Sequence, residues 1–130
     1  MSEPWRAYIK KARQSLDEAR AVADIKLFEA AGRAAYLAAY HAAQALILAR
    51  TDKVAKTHSG VRSKFSRIAK DDLRIERKLA SFLAQAYNLN VVADYAVGAD
   101  VRVSDLEAAE AIEGATSFVE AVQRILSERR

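Results

Sequence analysis

Glycine and proline are scarce in this chain, and their scarcity restricts the folds open to it. The 130 residues include four glycines and a single proline, Pro4. A β-rich fold needs turn residues about every 8–12 positions, and an α/β nucleotide-binding fold needs glycine at its phosphate-binding turns. We therefore predict an all-α protein: an antiparallel up-and-down bundle of four long helices and one short helix, forming a single domain over residues 1–130.

The composition excludes several classes of protein. The chain has no cysteine, which rules out disulfides, thiolate metal ligands and thiol catalysis. The most apolar run, Ala34 to Ala49, is shorter than the roughly 20 residues of a membrane-spanning helix and contains polar side chains. Residues 1–16 lack the pattern of a signal peptide. We expect a cytoplasmic protein that uses no cofactor and does not associate with a membrane.

Apolar residues that recur at three- and four-residue steps predict five helices. The second helix is alanine-rich and has almost no charged side beyond Ala34, so we expect it at the centre of the bundle. Either this helix or the fourth is expected to present the apolar surface that contacts a second subunit. Ser104 and Glu107 form a capping box at the start of the last helix. The predicted helices cover Glu3 to Val22, Ile25 to Arg50, Thr57 or Ser59 to Lys70, Asp71 or Asp72 to Tyr95, and Ser104 to about Leu126.

Charge is distributed unevenly along the chain. The net charge is +4, but residues 50–78 hold ten basic and four acidic residues, whereas residues 94–120 hold seven acidic residues and one arginine. The basic segment is either an electrostatic footprint for RNA or nucleotide phosphates or a solvated face that complements the acidic segment in the fold or in a partner subunit. The sequence leaves both interpretations open.

The two histidines are the candidate chemical groups. His41 lies in the middle of a helix, either as a hydrogen-bonded core or interface residue or as a general base or phosphate contact. His58 lies in residues 56–62, whose cations, hydroxyls and free helix-start N–H groups suit an anion, although an ordinary capping turn also explains them. Neither histidine has a ligand three or four residues later, so we predict no metal site. The candidate binding residues are Lys56, Thr57, His58 and Arg62.

Three pieces of sequence carry a resemblance to a known family. They are Tyr36 to Leu46, then Lys-Thr-His-Ser-Gly-Val at residues 56–61 followed by Phe65, and finally Ala93-Asp94-Tyr95. In this order they resemble a small prokaryotic HEPN-domain protein (higher eukaryotes and prokaryotes nucleotide-binding). The resemblance implies a four- or five-helix bundle that is usually a homodimer, is cytoplasmic, and is often paired with a small nucleotidyltransferase in toxin–antitoxin or stress-response modules.

The resemblance does not supply a catalytic site. Many HEPN proteins are metal-independent ribonucleases with an arginine and a histidine four to six residues apart near the end of a helix. The matching residues 88–95 contain neither, and Asn90 stands about where related sequences often carry arginine. No catalytic residue is carried over, and His41 and His58 are the remaining candidates. The polar residues expected to have structural roles are Tyr36, Tyr40, Asn90, Asp94 and Tyr95, with Asp94 paired to Arg33, Lys56 or His41 or forming an ordinary helix-end salt bridge.

Three functions fit these observations. The first is a non-catalytic HEPN module, a homodimer that binds a nucleotide, RNA or a nucleotidyltransferase-type partner. The second is a metal-independent ribonuclease that uses His41 or His58 with a nearby arginine. The third is a purely structural adaptor or antitoxin that masks a catalytic protein.

Overall fold

The chain folds into five helices. The computed structural model describes residues 3–95 and 103–128, and no strand occurs within them. The long helices α1, α2, α4 and α5 alternate in direction, and the shorter α3 packs beside α2 and α4. The all-α prediction is therefore confirmed. The helices are α1 (Trp5–Asp24), α2 (Phe28–Thr51), α3 (His58–Asp71), α4 (Arg77–Tyr95) and α5 (Asp105–Ser127).

Helix α2 is the centre of the bundle, as its apolar character predicts. It contacts each of the other four helices. Small side chains let neighbouring helices approach closely, and a run of alanines is completely buried along α2. The predicted contact of α2 or α4 with a second subunit stays a prediction. The completely buried alanines include Ala35, Ala38, Ala39, Ala42, Ala43 and Ala45.

Two predicted helix starts are wrong, for different physical reasons. Helix α2 begins at Phe28 rather than Ile25, because the chain turns at Lys26, whose φ of 66° is left-handed and ends the preceding helix. Helix α4 begins at Arg77 rather than Asp71 or Asp72, because the Asp72 carboxylate pairs with arginines instead of capping a helix.

The other helix starts follow their local signals. The Thr57 side chain caps α3 by accepting a hydrogen bond from the Gly60 N–H, and the predicted capping box joins Ser104 and Glu107 at the start of α5. Helix α1 begins at Trp5, and Ser2, its predicted cap, lies outside the described residues. Within the described part of the chain, no helix is long and apolar enough to cross a membrane.

Candidate binding site

Three helices bring four aromatic rings and one guanidinium together. Tyr36 and Tyr40 are one turn apart on α2, His58 and Arg62 are one turn apart on α3, and Tyr87 lies on α4. The centre of the His58 ring lies 4.8 Å from that of Tyr40 and 5.6 Å from those of Tyr36 and Tyr87. We name these five residues the Tyr–His–Arg cluster. It joins His58 and Arg62, two of the four predicted binding residues.

A hydrogen bond fixes the orientation of the His58 ring. The Tyr36 hydroxyl lies 2.5 Å from Nδ1 of His58. Burial raises the pKa of Tyr36 well above its usual range, although the charge of Arg62 opposes the shift, so the hydroxyl stays protonated near neutral pH. The hydroxyl donates to Nδ1 when the imidazole is neutral with its proton on Nε2. The Nε2–H is then the donor that a ligand such as a phosphate oxygen can use.

Arg62 supplies the positive charge of the cluster. Its guanidinium carbon lies 4.0 Å from the centre of the Tyr87 ring, which is a cation–π contact. One terminal nitrogen, Nη1, is buried and has no hydrogen-bond partner in the described structure. A buried donor without a partner carries a desolvation cost. The Tyr87 ring holds the guanidinium within the cluster.

The segment before α3 is held against α2 by a buried glutamine. Gln44 is 4% exposed, and its Nε2 donates to the Ala55 carbonyl at 2.9 Å while its Oε1 accepts from the Ala55 N–H at 3.0 Å. The same Nε2 lies 3.4 Å from the Tyr40 hydroxyl. These hydrogen bonds hold the Ala55 backbone against the surface of α2. Helix α3 therefore starts at a position from which His58 reaches Tyr36 and Tyr40.

The remaining predicted residues have different places. Lys56 is exposed in the segment before α3. The Thr57 hydroxyl caps α3, so the capping-turn interpretation of this segment holds for Thr57 even though His58 joins the cluster. Asn90, Asp94 and Tyr95 belong to α4, but their side chains lie outside the described part of the structure, as does the predicted pairing of Asp94.

His41 follows Tyr40 on α2 and is not a member of the cluster. Its ring meets Tyr40 edge-on with centres 5.6 Å apart, and its Nδ1 is buried without a hydrogen-bond partner among the described residues. Burial lowers the pKa of His41 below 6.5, and the charge of Lys11 lowers it further. His41 is therefore kept neutral near pH 7. Of the two histidines, His58 is the one that shares a ring contact, the Tyr87 ring, with Arg62.

Two residues of this region were not predicted. Tyr87 lies at the edge of the apolar face of α4, where a lone tyrosine gives no signal of its partners. Gln44 did carry a signal, since it is a polar residue in a helix that is apolar on all sides, and such a residue needs a hydrogen-bond partner. Among the described residues, no group of three histidine or carboxylate side chains is arranged to hold a metal ion.

Comparisons with known proteins agree with the helical architecture. The family model described as HEPN domain matches residues 5–125. The "Putative toxin MJ0605" of Methanocaldococcus jannaschii is 30% identical over 126 residues, which cover 97% of this chain and 91% of that protein. The crystal structure of TT1696 from Thermus thermophilus has a TM-score of 0.76 and 26% identity, covering 95% of this chain and 98% of that one. The chain therefore belongs to the HEPN domain family.

Proposed function

We propose that this protein is the RNA-binding member of a toxin–antitoxin-type pair, and that its Tyr–His–Arg cluster holds an unpaired nucleotide. The name "Putative toxin MJ0605" of the Methanocaldococcus jannaschii relative supports the toxin–antitoxin part of this proposal and says nothing of RNA. A homodimer and a nucleotidyltransferase-type partner, both implied by membership of the family, belong to the same proposal.

The observation that carries the RNA proposal is the pairing of Arg62 with Tyr87 beside the His58 ring. Proteins bind single-stranded nucleic acid by combining cations for the phosphates with aromatic faces for the bases. The cluster has both: the guanidinium of Arg62 on α3, and the half-buried rings of Tyr40 on α2 and Tyr87 on α4 around an exposed His58.

The surrounding charge supports the same proposal. The cluster lies at the start of the basic segment of residues 50–78, which has a net charge of +6. Lys56, Lys64 and Arg67 of that segment are not buried and extend the positive charge along the segment that leads into α3 and along α3 itself. Such a surface attracts a phosphate backbone and makes the affinity dependent on salt concentration.

RNA binding should weaken when the cluster loses its cation. We expect Arg62→Ala to lower the affinity for a short unstructured oligouridine by about tenfold, since a stacked and phosphate-bound residue contributes about 1–3 kcal/mol. The measurement is fluorescence anisotropy of labelled RNA with EDTA present. Arg67→Ala is the matched control, because it removes the same charge from the same helix at an exposed position. We expect it to weaken binding by roughly twofold.

The comparison of the two variants distinguishes RNA binding at the cluster from non-specific electrostatic attraction of RNA to the basic surface. Equal weakening by Arg62→Ala and Arg67→Ala would assign RNA binding to diffuse charge and reject the cluster as the site. Binding of a mononucleotide such as ATP with no binding of oligouridine would instead make the protein a nucleotide-binding module. A protein that binds neither would be left with the structural adaptor or antitoxin function.

One observation favours a second candidate function, metal-independent RNA cleavage. His58 and Arg62 are four residues apart on α3 and both contact the Tyr87 ring, which brings a proton-transfer group and a cation that can stabilise negative charge to the same ring. If the cluster cleaves RNA, products will form in EDTA with the wild type and with His41→Ala, and none with His58→Ala. The same traces of product in all three proteins would indicate a contaminating nuclease and reject this candidate.

A further inference from the structure

Helices α4 and α5 leave a groove between them on the bundle surface. They pack less closely than any other pair of contacting helices in the described structure. Two cavities of about 310 and 340 Å³ lie along their junction and share Phe82 and Glu110. Phe82 bridges the helices over Gly114, where an added methyl carbon would stand only 2.3 Å from the ring. We name this surface the α4–α5 groove; it has no residue in common with the Tyr–His–Arg cluster.

The floor of the groove is apolar and combines small and large side chains. Ala86 of α4 and Ala111 of α5 are buried there, beside the backbone of Gly114. Phe82 and Leu89 are half-buried and complete the floor. Space of this kind between two helices accepts the apolar stripe of a third helix.

The α5 side of the groove is acidic. Glu107, Glu110 and Glu113 follow one another at three-residue steps on α5 and line the two cavities. Glu107 also accepts a hydrogen bond from the Ser104 N–H, whereas Glu110 and Glu113 are exposed and make no ion pair within residues 3–95 and 103–128. The opposite side offers Gln85 and, at one end, Lys78. Negative charge therefore predominates at the rim.

This charge argues against a second copy of the chain as the occupant. A two-fold axis that runs across the groove would place one acidic rim against the other, and one that runs along the groove would set each acidic rim against an α4 side that offers only Gln85 and Lys78. Docking the basic segment of a second copy would be a head-to-tail contact, which generates open chains unless the rotation closes. A helix with lysines or arginines beside an apolar stripe would instead satisfy both the floor and the rim.

We propose that the α4–α5 groove is a docking site for a basic amphipathic helix of a partner protein. The probe that tests this is a fluorescein-labelled synthetic helix with a leucine stripe flanked by lysines. We expect the double variant Glu110→Lys/Glu113→Lys to weaken its binding by about tenfold, because two attractive contacts become repulsive. The double variant Glu18→Lys/Glu120→Lys changes the net charge equally at exposed positions outside the groove, and we expect it to weaken binding by less than about twofold.

A charge swap completes the experiment. A peptide with glutamates in place of the lysines should bind Glu110→Lys/Glu113→Lys more tightly than the wild type. Equal weakening of the lysine peptide by both double variants, or no binding at all, would overturn the proposal. So would a wild-type dimer that Glu110→Lys/Glu113→Lys converts to monomers in light scattering, since the groove would then hold a second copy. RNA binding is measured in parallel: its loss in Arg62→Ala tests the cluster and leaves the groove unaffected.

Discussion

Replacing Gln44 with alanine is expected to lower the free energy of unfolding by about 2–4 kcal/mol. The substitution removes both hydrogen bonds to Ala55 and leaves the N–H and C=O of that residue buried without partners. Each unsatisfied buried group costs about 1–3 kcal/mol, roughly twice the net gain of about 0.5–1.5 kcal/mol from making one hydrogen bond. Urea-induced unfolding followed by circular dichroism measures the change.

Two further variants isolate the hydrogen bonds from the packing. Gln44→Met keeps most of the side-chain volume but has no amide, so it should be destabilised nearly as much as Gln44→Ala. Gln123→Ala removes a glutamine whose hydrogen bonds to Arg13 lie at the surface, and it should change stability by about 0.5 kcal/mol or less. A Gln44→Met protein as stable as the wild type would show that the amide has no role in holding the segment before α3.

Gln44→Ala should also weaken RNA binding if the cluster is the binding site. Without the bonds between Gln44 and Ala55, nothing else in the described structure ties the Ala55 backbone to α2, and His58 and Arg62 lose their fixed approach to the tyrosines. We expect the affinity for oligouridine to fall in Gln44→Ala, and the further addition of Arg62→Ala to cost less than it does in the wild type. Fully additive effects would mean that Gln44 stabilises the fold without positioning the site.

Local signals in the sequence were enough to predict the architecture. Apolar residues on all sides of α2 indicated that it is the central helix. Thr57 and Ser104 indicated two helix starts, because a capping side chain bonds to the backbone only three residues later, which is visible in the sequence. The start of α4 was missed because Asp72, a good local cap, is drawn to Arg50, which is 22 residues earlier in the chain. An ion pair over that distance leaves no periodic pattern in the sequence.

The candidate site was predicted only in part, because its aromatic side is also formed by residues that are distant in sequence. The types of residue in 56–62 indicated an anion site, and two of those residues lie in the cluster. The aromatic side of the site depends on the path of residues 52–57, which brings His58 against Tyr36 and Tyr87. Tyr36 and His58 are 22 positions apart, so their contact follows from tertiary packing alone. The hydrogen bonds between Gln44 and the Ala55 backbone set this path, and the sequence did not indicate that these two residues are partners.

Replacing Asp72 with asparagine is expected to lower the free energy of unfolding by about 1–3 kcal/mol near pH 7, because it removes charge-assisted hydrogen bonds. The Asp72 side chain is 12% exposed, and its Oδ2 accepts from Arg50 and from Arg74, each at 2.8 Å. Arg74 in turn donates to Glu128 at 2.8 Å. The carboxylate thus links the end of α2 to the turn before α4 and the end of α5. Thermal or urea-induced unfolding measures the loss.

The pH dependence of stability distinguishes this carboxylate from its neighbour. Hydrogen bonds from Arg74 and then Arg50 hold the pKa of Asp72 well below its usual range, so the folded protein binds fewer protons there than the unfolded chain. The stabilisation is complete above about pH 5, which is one unit above the unfolded pKa of about 3.9, and it is lost progressively as the pH falls further. The free energy of unfolding of the wild type should therefore approach that of Asp72→Asn as the pH falls from about 5 to about 2.

The control is Asp71→Asn, the same change at the exposed adjacent residue, whose free energy of unfolding should match that of the wild type at each pH. If Asp72→Asn instead lost stability in parallel with the wild type, the ion pairs would contribute nothing to the acid sensitivity of the fold.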